Sequence, residues 1–364
     1  MIATENVDGK ALSRVLGGRA LLYEPRPNPV SPYQRSKKLP EEKKRELDQK
    51  FHQSVGGYTA LLSGIERLDA INIPEVIDEG HYGYPLYRTS RTREFASRLA
   101  RNLRKDSVIG KVVVHAGNEE AFRTWLTDTV TGRVAKQRDG APAHEVVQLD
   151  GIKNIVLVGG QSSHITYKGP TLHRAFEIAK PILEKCGGNI GGIAIDSRHD
   201  EVNRILRKTK AGVTFFTTQI VFESRKIIEL ILAYDKACKD DGIKPASFLV
   251  SMAPLVREGD ADFIQWLGAE IPNEPLEAMQ SAKDEAEAFR RSLLNVLSIW
   301  ADVVEQHDKH HITVPVGINS EQVAAPNETQ SILQLKALAR VIDMPGHRIR
   351  EEIASIQAQQ ELIL

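Results

Sequence analysis

The sequence predicts an α/β protein, and within that class a single (β/α)₈ TIM barrel. Short, apolar, mostly β-branched segments alternate with longer amphipathic segments along most of the chain. Strict alternation of strand and helix is typical of a parallel sheet, whose strands are buried on both faces and therefore apolar throughout. Eight such repeats over 364 residues fit a closed barrel better than an open doubly wound sheet.

The predicted elements follow one another without a linker between domains. The eight strands are Ala20–Tyr23, Ala70–Ile73, Lys111–His115, Asn154–Val158, Gly191–Ile195, Val213–Thr217, Ser247–Val250 and Ile312–Val316. The helices between them are Pro40–Ser54, Thr92–Arg104, Glu119–Val130, Thr171–Lys185, Glu201–Lys210, Ser224–Lys239 and Pro275–His307. Two last helical segments, Gln330–Ile342 and His347–Leu364, would close the ring and extend past it. We therefore expect a barrel domain over residues 1–325 and C-terminal helices over residues 326–364.

Two insertions interrupt the alternation. Gly80–Tyr87, which is rich in glycine and aromatic residues, follows the second strand. It could form a flat wall for a planar ligand or a lid packed on itself, and the sequence does not separate these two interpretations. Arg133–Ala143, which is polar and contains glycine and proline, is the most loop-like insertion and lies between the third and fourth strands.

Composition excludes several classes of function. Lys+Arg and Asp+Glu are equal at 48 each, so no overall charge attracts nucleic acid or an anionic membrane. Cys186 and Cys238 are far apart and form no ligand-spaced pair, which argues against a zinc or iron–sulfur site. No apolar run approaches the roughly 20 residues of a membrane span. The first residues lack the order of a signal peptide, so we expect a soluble, cytoplasmic protein.

The carboxyl ends of the strands are where barrel enzymes carry their chemistry. The run AGVTFFTTQ ends the sixth strand at Gln219, whose amide both donates and accepts hydrogen bonds and could read a polar heterocycle. The alternative is a buried strand whose amide caps the next helix, and this run alone does not decide between them.

A carboxylate ends the first predicted strand. Glu24 lies between Tyr23 and Pro25, where aromatic and proline surface would partly desolvate it and suit it to act as a general acid. An ion pair with Arg26 is the alternative. We favour the functional role because barrel interiors seldom place a glutamate at a strand end without a use.

Three further strand ends are polar. Gly160 and Gln161 follow the fourth strand, where glycine lets a ligand approach the backbone, but the segment matches neither a dinucleotide fingerprint nor a P-loop. Asp196 and His199 follow the fifth strand; two ligands are too few for a metal, so no metal site is predicted and helix capping by Asp196 or Asp200 is preferred. The eighth strand ends in the polar run Gly317–Glu321, whose Asn319 could reach a ligand.

Five segments, taken in order, resemble those of the methylenetetrahydrofolate reductase family. The similarity spans roughly residues 15–325, and the order and spacing of the segments carry it. The segments are Tyr23-Glu24-Pro25, Ser90-Arg91-Thr92-Arg93-Glu94, Gly151-Ile152-Lys153-Asn154-Ile155-Val156, AGVTFFTTQ with Ile220-Val221-Phe222, and Ala269-Glu270-Ile271-Pro272.

The resemblance implies an oxidoreductase of one-carbon metabolism. The family reduces the methylene bridge of a tetrahydrofolate to a methyl group, the folate that methionine biosynthesis consumes, with hydride passing from a nicotinamide to bound flavin and then to the one-carbon unit. By the resemblance, Glu24 would protonate the pterin nitrogen and open the bridge, and Gln219 would hydrogen-bond the pterin. Gln161 and Asn319 are the further expected substrate contacts. The resemblance also suggests a homo-oligomer formed through barrel helices.

The residues expected to hold a cofactor match the family less completely. His199, Arg207 and Lys208 fall where the family contacts its cofactor, and Gly160 is the expected glycine contact. Four positions differ from the family. A Gly-Gly-Gln run replaces the family's Arg-Gly-Asp after the fourth strand, and Ile195 replaces its flavin-contacting tyrosine. The family's aromatic residue after the seventh strand is replaced within a Leu-Val-Arg-Glu run, and Ser320 replaces an arginine near the eighth strand. NAD(P)H is therefore the expected hydride donor, either through FAD or directly to the methylene-pterin.

Two alternatives remain open at this stage. One is a pterin-dependent methyltransferase or demethylase on the same barrel, which would need no nicotinamide. The other is a barrel that binds a pterin without catalysis. An acid at position 24 favours an enzyme, because a protein that only binds has little need of one.

Overall fold

The structure, a computed structural model, describes residues 12–26, 40–79, 85–87, 89, 91–136, 145–160 and 164–358. Its strands are β1 (Leu21–Glu24), β2 (Ala70–Ile73), β3 (Ile77–Glu79), β4 (Pro85–Tyr87), β5 (Asp106–Val112), β6 (Arg133–Lys136), β7 (Glu145–Gln148), β8 (Asn154–Val158), β9 (Asn189–Ala194), β10 (Phe215–Ile220), β11 (Ser247–Met252) and β12 (Val316–Glu321).

The helices of the described residues are α1 (Leu12–Val15), α2 (Glu41–Leu62), α3 (Thr92–Leu103), α4 (Glu119–Thr131), α5 (Leu172–Lys185), α6 (Glu201–Lys210), α7 (Ser224–Asp241), α8 (Glu258–Trp266), α9 (Asn273–Gln280), α10 (Glu285–Lys309), α11 (Glu328–Val341) and α12 (Gly346–Ala358). Short 3₁₀ turns cover Val113–His115 and Ala325–Asn327.

Eight strands close into a parallel barrel in the order β1-β12-β11-β10-β9-β8-β5-β2. The predicted (β/α)₈ fold is therefore confirmed. The other four strands form two antiparallel hairpins, β3 with β4 and β6 with β7. Both hairpins lie at the predicted insertions, which the sequence did not identify as paired strands. Residues 80–84 and 137–144 of those insertions lie outside the described residues.

The chain forms two compact units. The first unit contains residues 1–14 and 27–191, and the second contains residues 15–26 and 192–364. In the first unit, β2, β5 and β8 run parallel. Phe95 of α3 packs edge-on against Phe51 and Tyr58 of α2, with ring centroids 6.1 and 6.0 Å apart, and so joins the two helices through buried aromatic surface.

In the second unit, β10, β11, β12 and β1 are consecutive parallel neighbours. Phe216, Tyr234 and Phe248 fill the space between the strands and α7, with ring centroids 5.5 to 6.2 Å apart. At the C-terminal end of the chain, Arg350 of α12 bonds Asp302 and Glu305 of α10. The predicted boundary near residue 325 stays a prediction.

Several predicted elements have different bounds in the structure, among them two strands and one helix. β5 begins at Asp106 and ends at Val112, the second residue of the predicted strand Lys111–His115. β12 begins at Val316, the last residue of its predicted strand. In both cases the observed strand carries polar residues, so apolar content alone put its bounds in the wrong place. The predicted helix Pro275–His307 is two helices, α9 and α10, because the side chain of Asp284 caps a new helix start.

We expect Gly317→Ala to destabilise the second unit. A Cβ at position 317 would lie 2.3 Å from the carbonyl oxygen of Ala20 and 2.8 Å from its nitrogen, so β12 would have to move away from β1. The expected loss of unfolding free energy is about 2–3 kcal/mol in urea denaturation. Gly259→Ala in α8 is the control, because nothing lies within 4 Å of its added Cβ. Equal stability of the two variants would contradict this account of the β1–β12 contact.

Candidate functional site

Two glutamates stand side by side at the carboxyl end of the barrel strands in the second unit. Glu24 ends β1, Glu321 ends β12, and the two are register partners in the parallel sheet. Asn319 lies two residues before Glu321 and therefore on the same face of β12. Its Nδ2 donates to Oε2 of Glu24 at 3.1 Å and to Oε1 of Glu321 at 2.9 Å. One amide group thus bridges two carboxyl groups.

Burial changes the acidity of this cluster. Asn319 and Ser251 have no exposed surface, and Nδ2 of Asn319 lies 3.3 Å from Oγ of Ser251. Burial raises the pKa of Glu321 to about 7, although hydrogen bonds from Ser251 and Asn319 pull that pKa down. Two carboxyl groups held by one amide also resist ionising together. A carboxyl group with a pKa near 7 can take up and release a proton near neutral pH.

Ser251 is positioned by an irregularity in the neighbouring strand. Its backbone N–H donates to Oγ1 of Thr218 at 2.8 Å, and the pairing of β10 with β11 shifts register between Thr217 and Ile220. Gln219 lies inside this irregularity, and its Nε2 donates to the carbonyl of Leu267 at 2.7 Å. Gln219 therefore holds the C-terminal end of α8 and does not cap α7. Its contact with a pterin stays a prediction.

The outer face of β12 is held by a buried helix residue. Gln334 of α11 donates through Nε2 to the carbonyl of Met252 and to Oγ of Ser320, both at 3.1 Å. Ser320 and Gln334 have no exposed surface. Ser320 alternates with Asn319 and Glu321 along the strand and therefore faces the helix layer.

Three of the residues expected to hold a cofactor lie on or near α6. His199 and Arg207 are exposed. Lys208 is largely buried, its Nζ donates to the carbonyl of Ile193 at 2.6 Å, and burial lowers the pKa of its ammonium group. Lys208 therefore ties α6 to β9, and nothing in its geometry marks it as a phosphate contact.

The residues near α6 also test the capping interpretation. Asp200 precedes the helix, but its side chain makes no capping bond, so that interpretation is wrong for Asp200. Asp196 is half-buried and accepts the backbone N–H groups of its own residue and of Ser197, while burial raises its pKa.

The fourth expected cofactor residue is in the first unit. A Cβ at Gly160 would lie 2.3 Å from the ring of Tyr167, so this glycine makes room for the tyrosine. Gln161 lies outside the described residues. Lys208 and Gly160 are engaged in contacts within the protein, so they offer no free group to a flavin. Binding of FAD stays a prediction, and we assign no step to a flavin.

Two properties of the described residues bear on partners. Among the described residues, no group of three or more His, Cys, Asp or Glu is placed to hold a metal ion. No helix in this part of the chain is long and apolar enough to cross a membrane.

Sequence reasoning missed two members of the cluster, Glu321 and Ser251. The predicted eighth strand ended five residues too early, so Glu321 was only part of a polar run. The predicted seventh strand ended at Val250, one residue before Ser251. A polar residue at every second position after an apolar strand is the signal that would have found Asn319 and Glu321 as a pair.

The fold and this cluster define a (β/α)₈ barrel with a polar, proton-holding site at its carboxyl end. No family model and no curated protein matches the sequence. Among solved structures, the chain is similar to an uncharacterized protein from Clostridium thermocellum that binds two copies of 5-methyl-5,6,7,8-tetrahydrofolic acid. The TM-score is 0.64 at 20% identity, over 90% of this chain and 97% of that one. At this identity the similarity shows the fold, and membership of the methylenetetrahydrofolate reductase family stays a prediction.

Two other solved structures match more weakly. The DHPS of Yersinia pestis with a pterine-sulfa conjugate has a TM-score of 0.38 at 10% identity, over 90% of this chain and 96% of that one. A phosphotriesterase homology protein from Escherichia coli, with phosphate in its active site, has a TM-score of 0.33 at 12% identity, over 75% of this chain and 94% of that one. Similarity at this level carries no argument about the present chain.

We expect Glu321→Gln to change how stability depends on pH. The pKa of Glu321 rises from 4.5 to about 7 on folding, so its proton favours the folded state below pH 4.5 and this contribution is lost as the pH rises through 7. The whole effect is on the order of 3 kcal/mol. The variant cannot titrate there, so its unfolding free energy relative to wild type should increase between pH 5 and pH 8.

Glu285→Gln is the matched control for this titration. A hydrogen bond from Arg257 lowers the pKa of Glu285, which is the opposite direction. The control variant should therefore gain no stability relative to wild type as the pH rises. Parallel stability profiles for wild type and Glu321→Gln would show that Glu321 does not hold a proton in the folded protein.

Proposed function

We propose that this protein binds a reduced folate at the carboxyl ends of β1, β11 and β12. The observation that carries the proposal is the pair of carboxyl groups of Glu24 and Glu321 bridged by the amide of Asn319. A pterin ring presents amino and ring N–H donors beside ring nitrogen acceptors, and a carboxylate next to a carboxylic acid can satisfy both kinds. The similar barrel of the Clostridium thermocellum protein, which binds 5-methyl-tetrahydrofolic acid, supports this choice of ligand.

We further propose a reaction for this site, the reduction of a methylene-tetrahydrofolate to its methyl form. A proton from the Glu24–Glu321 pair passes to the folate nitrogen that leaves the methylene bridge, and this carbon–nitrogen bond breaks. Hydride from NAD(P)H forms the new carbon–hydrogen bond, and NAD(P)H becomes NAD(P)⁺. Glu24 is the donor in this proposal, and Glu321, with a pKa of about 7, is the reservoir that restores its proton.

NAD(P)H enters this reaction as a co-substrate. The exposed His199 and Arg207 remain its predicted contacts. Methyl transfer is the second candidate, because the ligand of the Clostridium thermocellum protein carries a methyl group. In that reaction a nucleophilic group of a second substrate would form a bond to the methyl carbon while the bond from that carbon to the folate nitrogen breaks. The same carboxyl pair would give its proton to this nitrogen, and no nicotinamide would be consumed.

We expect Glu24→Gln to separate binding from chemistry. The amide keeps the size of the side chain and its hydrogen bond with Asn319 but has no acidic proton. The rate of NAD(P)H oxidation with methylene-tetrahydrofolate should fall by about 10²- to 10⁴-fold. The Kd for 5-methyl-tetrahydrofolate, measured by calorimetry, should change by less than about tenfold.

Glu229→Gln, on the exposed face of α7, is the control and should behave as wild type. Normal turnover by Glu24→Gln would show that Glu24 is not the acid. If wild type binds the methyl folate but never oxidises NAD(P)H, the methyl-transfer reaction replaces the reduction. Failure of wild type to bind any reduced folate would overturn the whole proposal.

A further inference from the structure

A second cluster of acid–base side chains lies in the first unit. It is built from segments that follow three barrel strands: Glu79 ends β3 shortly after β2, His115 ends the 3₁₀ turn after β5, and Tyr167 follows β8. All three side chains are thus supplied from the carboxyl ends of strands, the end of a barrel at which ligands bind.

The three side chains meet at one carboxyl group. Nε2 of His115 lies 2.6 Å from Oε1 of Glu79, and the hydroxyl of Tyr167 donates to Oε2 of Glu79 at 2.6 Å. The rings of His115 and Tyr167 also pack edge to face, with centroids 5.4 Å apart. The side chain of Glu79 is 3% exposed and that of His115 is 5% exposed. Water therefore competes little for these bonds.

The contact with Glu79 decides which imidazole nitrogen carries the proton. A carboxylate only accepts hydrogen bonds, so Nε2 of His115 must donate, and the neutral ring then presents a lone pair at Nδ1. Within the described residues, the contacts of His115 are those with Glu79 and Tyr167, and Nδ1 has no partner among them. Nδ1 of His115 is not one of the fully buried polar atoms without a partner in this part of the chain, so it is open to solvent or to a ligand.

The surrounding backbone holds this geometry in place. Glycine at position 160 leaves the space in which the Tyr167 ring lies. Gly169, two residues after that tyrosine, donates its N–H to the carbonyl of Val114 at 2.9 Å, which joins the β8 loop to the 3₁₀ turn that carries His115. The loop therefore positions Tyr167 and the histidine together.

The ion pair between Lys111 and Glu75 in the same unit has a different geometry. Nζ of Lys111 lies 2.9 and 3.0 Å from the two oxygens of Glu75, and the backbone N–H of Val112 donates to one of them. The Lys111 ammonium is thereby engaged by both oxygens of its partner. In the Glu79–His115 pair, by contrast, one basic nitrogen is left over after the partner is satisfied, which is the arrangement of a base oriented by a carboxylate.

We propose that Glu79 and His115 form a general-base dyad for a small polar molecule bound at the carboxyl ends of β2, β5 and β8. The dyad accepts a proton from an O–H or N–H group of that molecule. The proton moves to Nδ1, the ligand keeps the electron pair, and Nε2–H stays hydrogen-bonded to Glu79, whose charge stabilises the imidazolium. Tyr167 is a positioning residue that holds the second oxygen of Glu79. The proposal does not depend on folate binding.

Acylation by diethyl pyrocarbonate tests the lone pair at Nδ1 directly. In this reaction Nδ1 forms a bond to the carbonyl carbon, the bond from that carbon to its ethyl carbonate leaving group breaks, and the Nε2 proton passes to Glu79. Rates for individual histidines are read by peptide mass spectrometry. His307 is the control, because its Nε2 lies 3.0 Å from the neutral carbonyl of Val314 and its side chain is more exposed, at 30%. Its Nδ1 lies 3.9 Å from the carboxyl group of Asp308, which is itself 59% exposed.

We expect His115 to react at least as fast as His307 despite its lower exposure, and Glu79→Gln to slow His115 by about 10-fold or more while leaving His307 unchanged. Tyr167→Phe should slow His115 less, because the Nε2 contact remains. Two results would overturn the dyad: His115 does not react, or it reacts at least as fast in Glu79→Gln as in wild type. The contact between His115 and Glu79 would then only close the β3–β4 hairpin.

A second measurement needs no variant. Nitrogen-15 NMR of histidine-labelled protein distinguishes the two neutral tautomers of each ring. The dyad requires His115 to be protonated on Nε2 and unprotonated on Nδ1 in its neutral form. A neutral ring protonated on Nδ1 would overturn the proposal, even if Glu79→Gln failed to fold.

Discussion

The candidate site depends on the close approach of β1 and β12. Gly317 has no side chain, and this lets β12 lie so near Ala20 that its Ile318 N–H donates to the Ala20 carbonyl at 2.7 Å. Next to this contact Leu21 is paired with Ile318, and three residues further along both strands Glu24 is paired with Glu321. A shift of one residue would turn Asn319 to the outer face and remove the amide that bridges the carboxyl groups. The chemistry of the site is therefore set at the amino end of the strands.

Placing two glutamates under one amide is unfavourable for folding unless one of them keeps its proton. The bridging amide has two hydrogens, and three oxygens from Glu24, Glu321 and Ser251 lie within its reach. The amide cannot neutralise two full charges. Burial therefore raises the pKa of Glu321 by more than its hydrogen bonds with Ser251 and Asn319 lower it. The burial of Glu321 destabilises the folded state above pH 7, where this side chain is charged, and it also lets Glu321 give up a proton near pH 7. This is the usual conflict between stability and function at a site.

Much of the fold could be predicted from the sequence because it follows from local patterns. The bounds of β2, β8 and α6 agree with prediction, since buried parallel strands are apolar and α6 has a regular charged face. The eighth strand could not be predicted in the same way. Its second half, which carries Asn319 and Glu321, is polar because it serves the site, so the apolar pattern stops before the strand does.

The contacts within the site were beyond sequence reasoning for a different reason. The bond from Asn319 to Glu24 joins residues 295 positions apart, and no local pattern encodes it. Lys208 illustrates the same limit: the resemblance implied a cofactor contact, which stays a prediction, and the contact that the fold supplies is the bond from its ammonium group to the carbonyl of Ile193. A residue type limits what a side chain can bind, and only the fold decides which partner it meets.

The two clusters of carboxyl groups differ in the partner that the fold supplies, and this difference sets the direction of proton transfer. Glu24 and Glu321 share the amide of Asn319, and burial raises the pKa of Glu321 to about 7, so the proposed pair is suited to donate a proton near neutral pH. Glu79 has an imidazole and a phenol as neighbours, and the proposed dyad accepts a proton at the nitrogen of His115 that faces away from Glu79. Partners that push paired groups toward opposite protonation states are how a protein runs acid and base chemistry at one pH. In this chain the proposed acid lies on adjacent strands of the sheet, where the register holds it. The proposed base lies on loops, where the contact of Tyr167 with Glu79 and the space left by Gly160 hold its geometry.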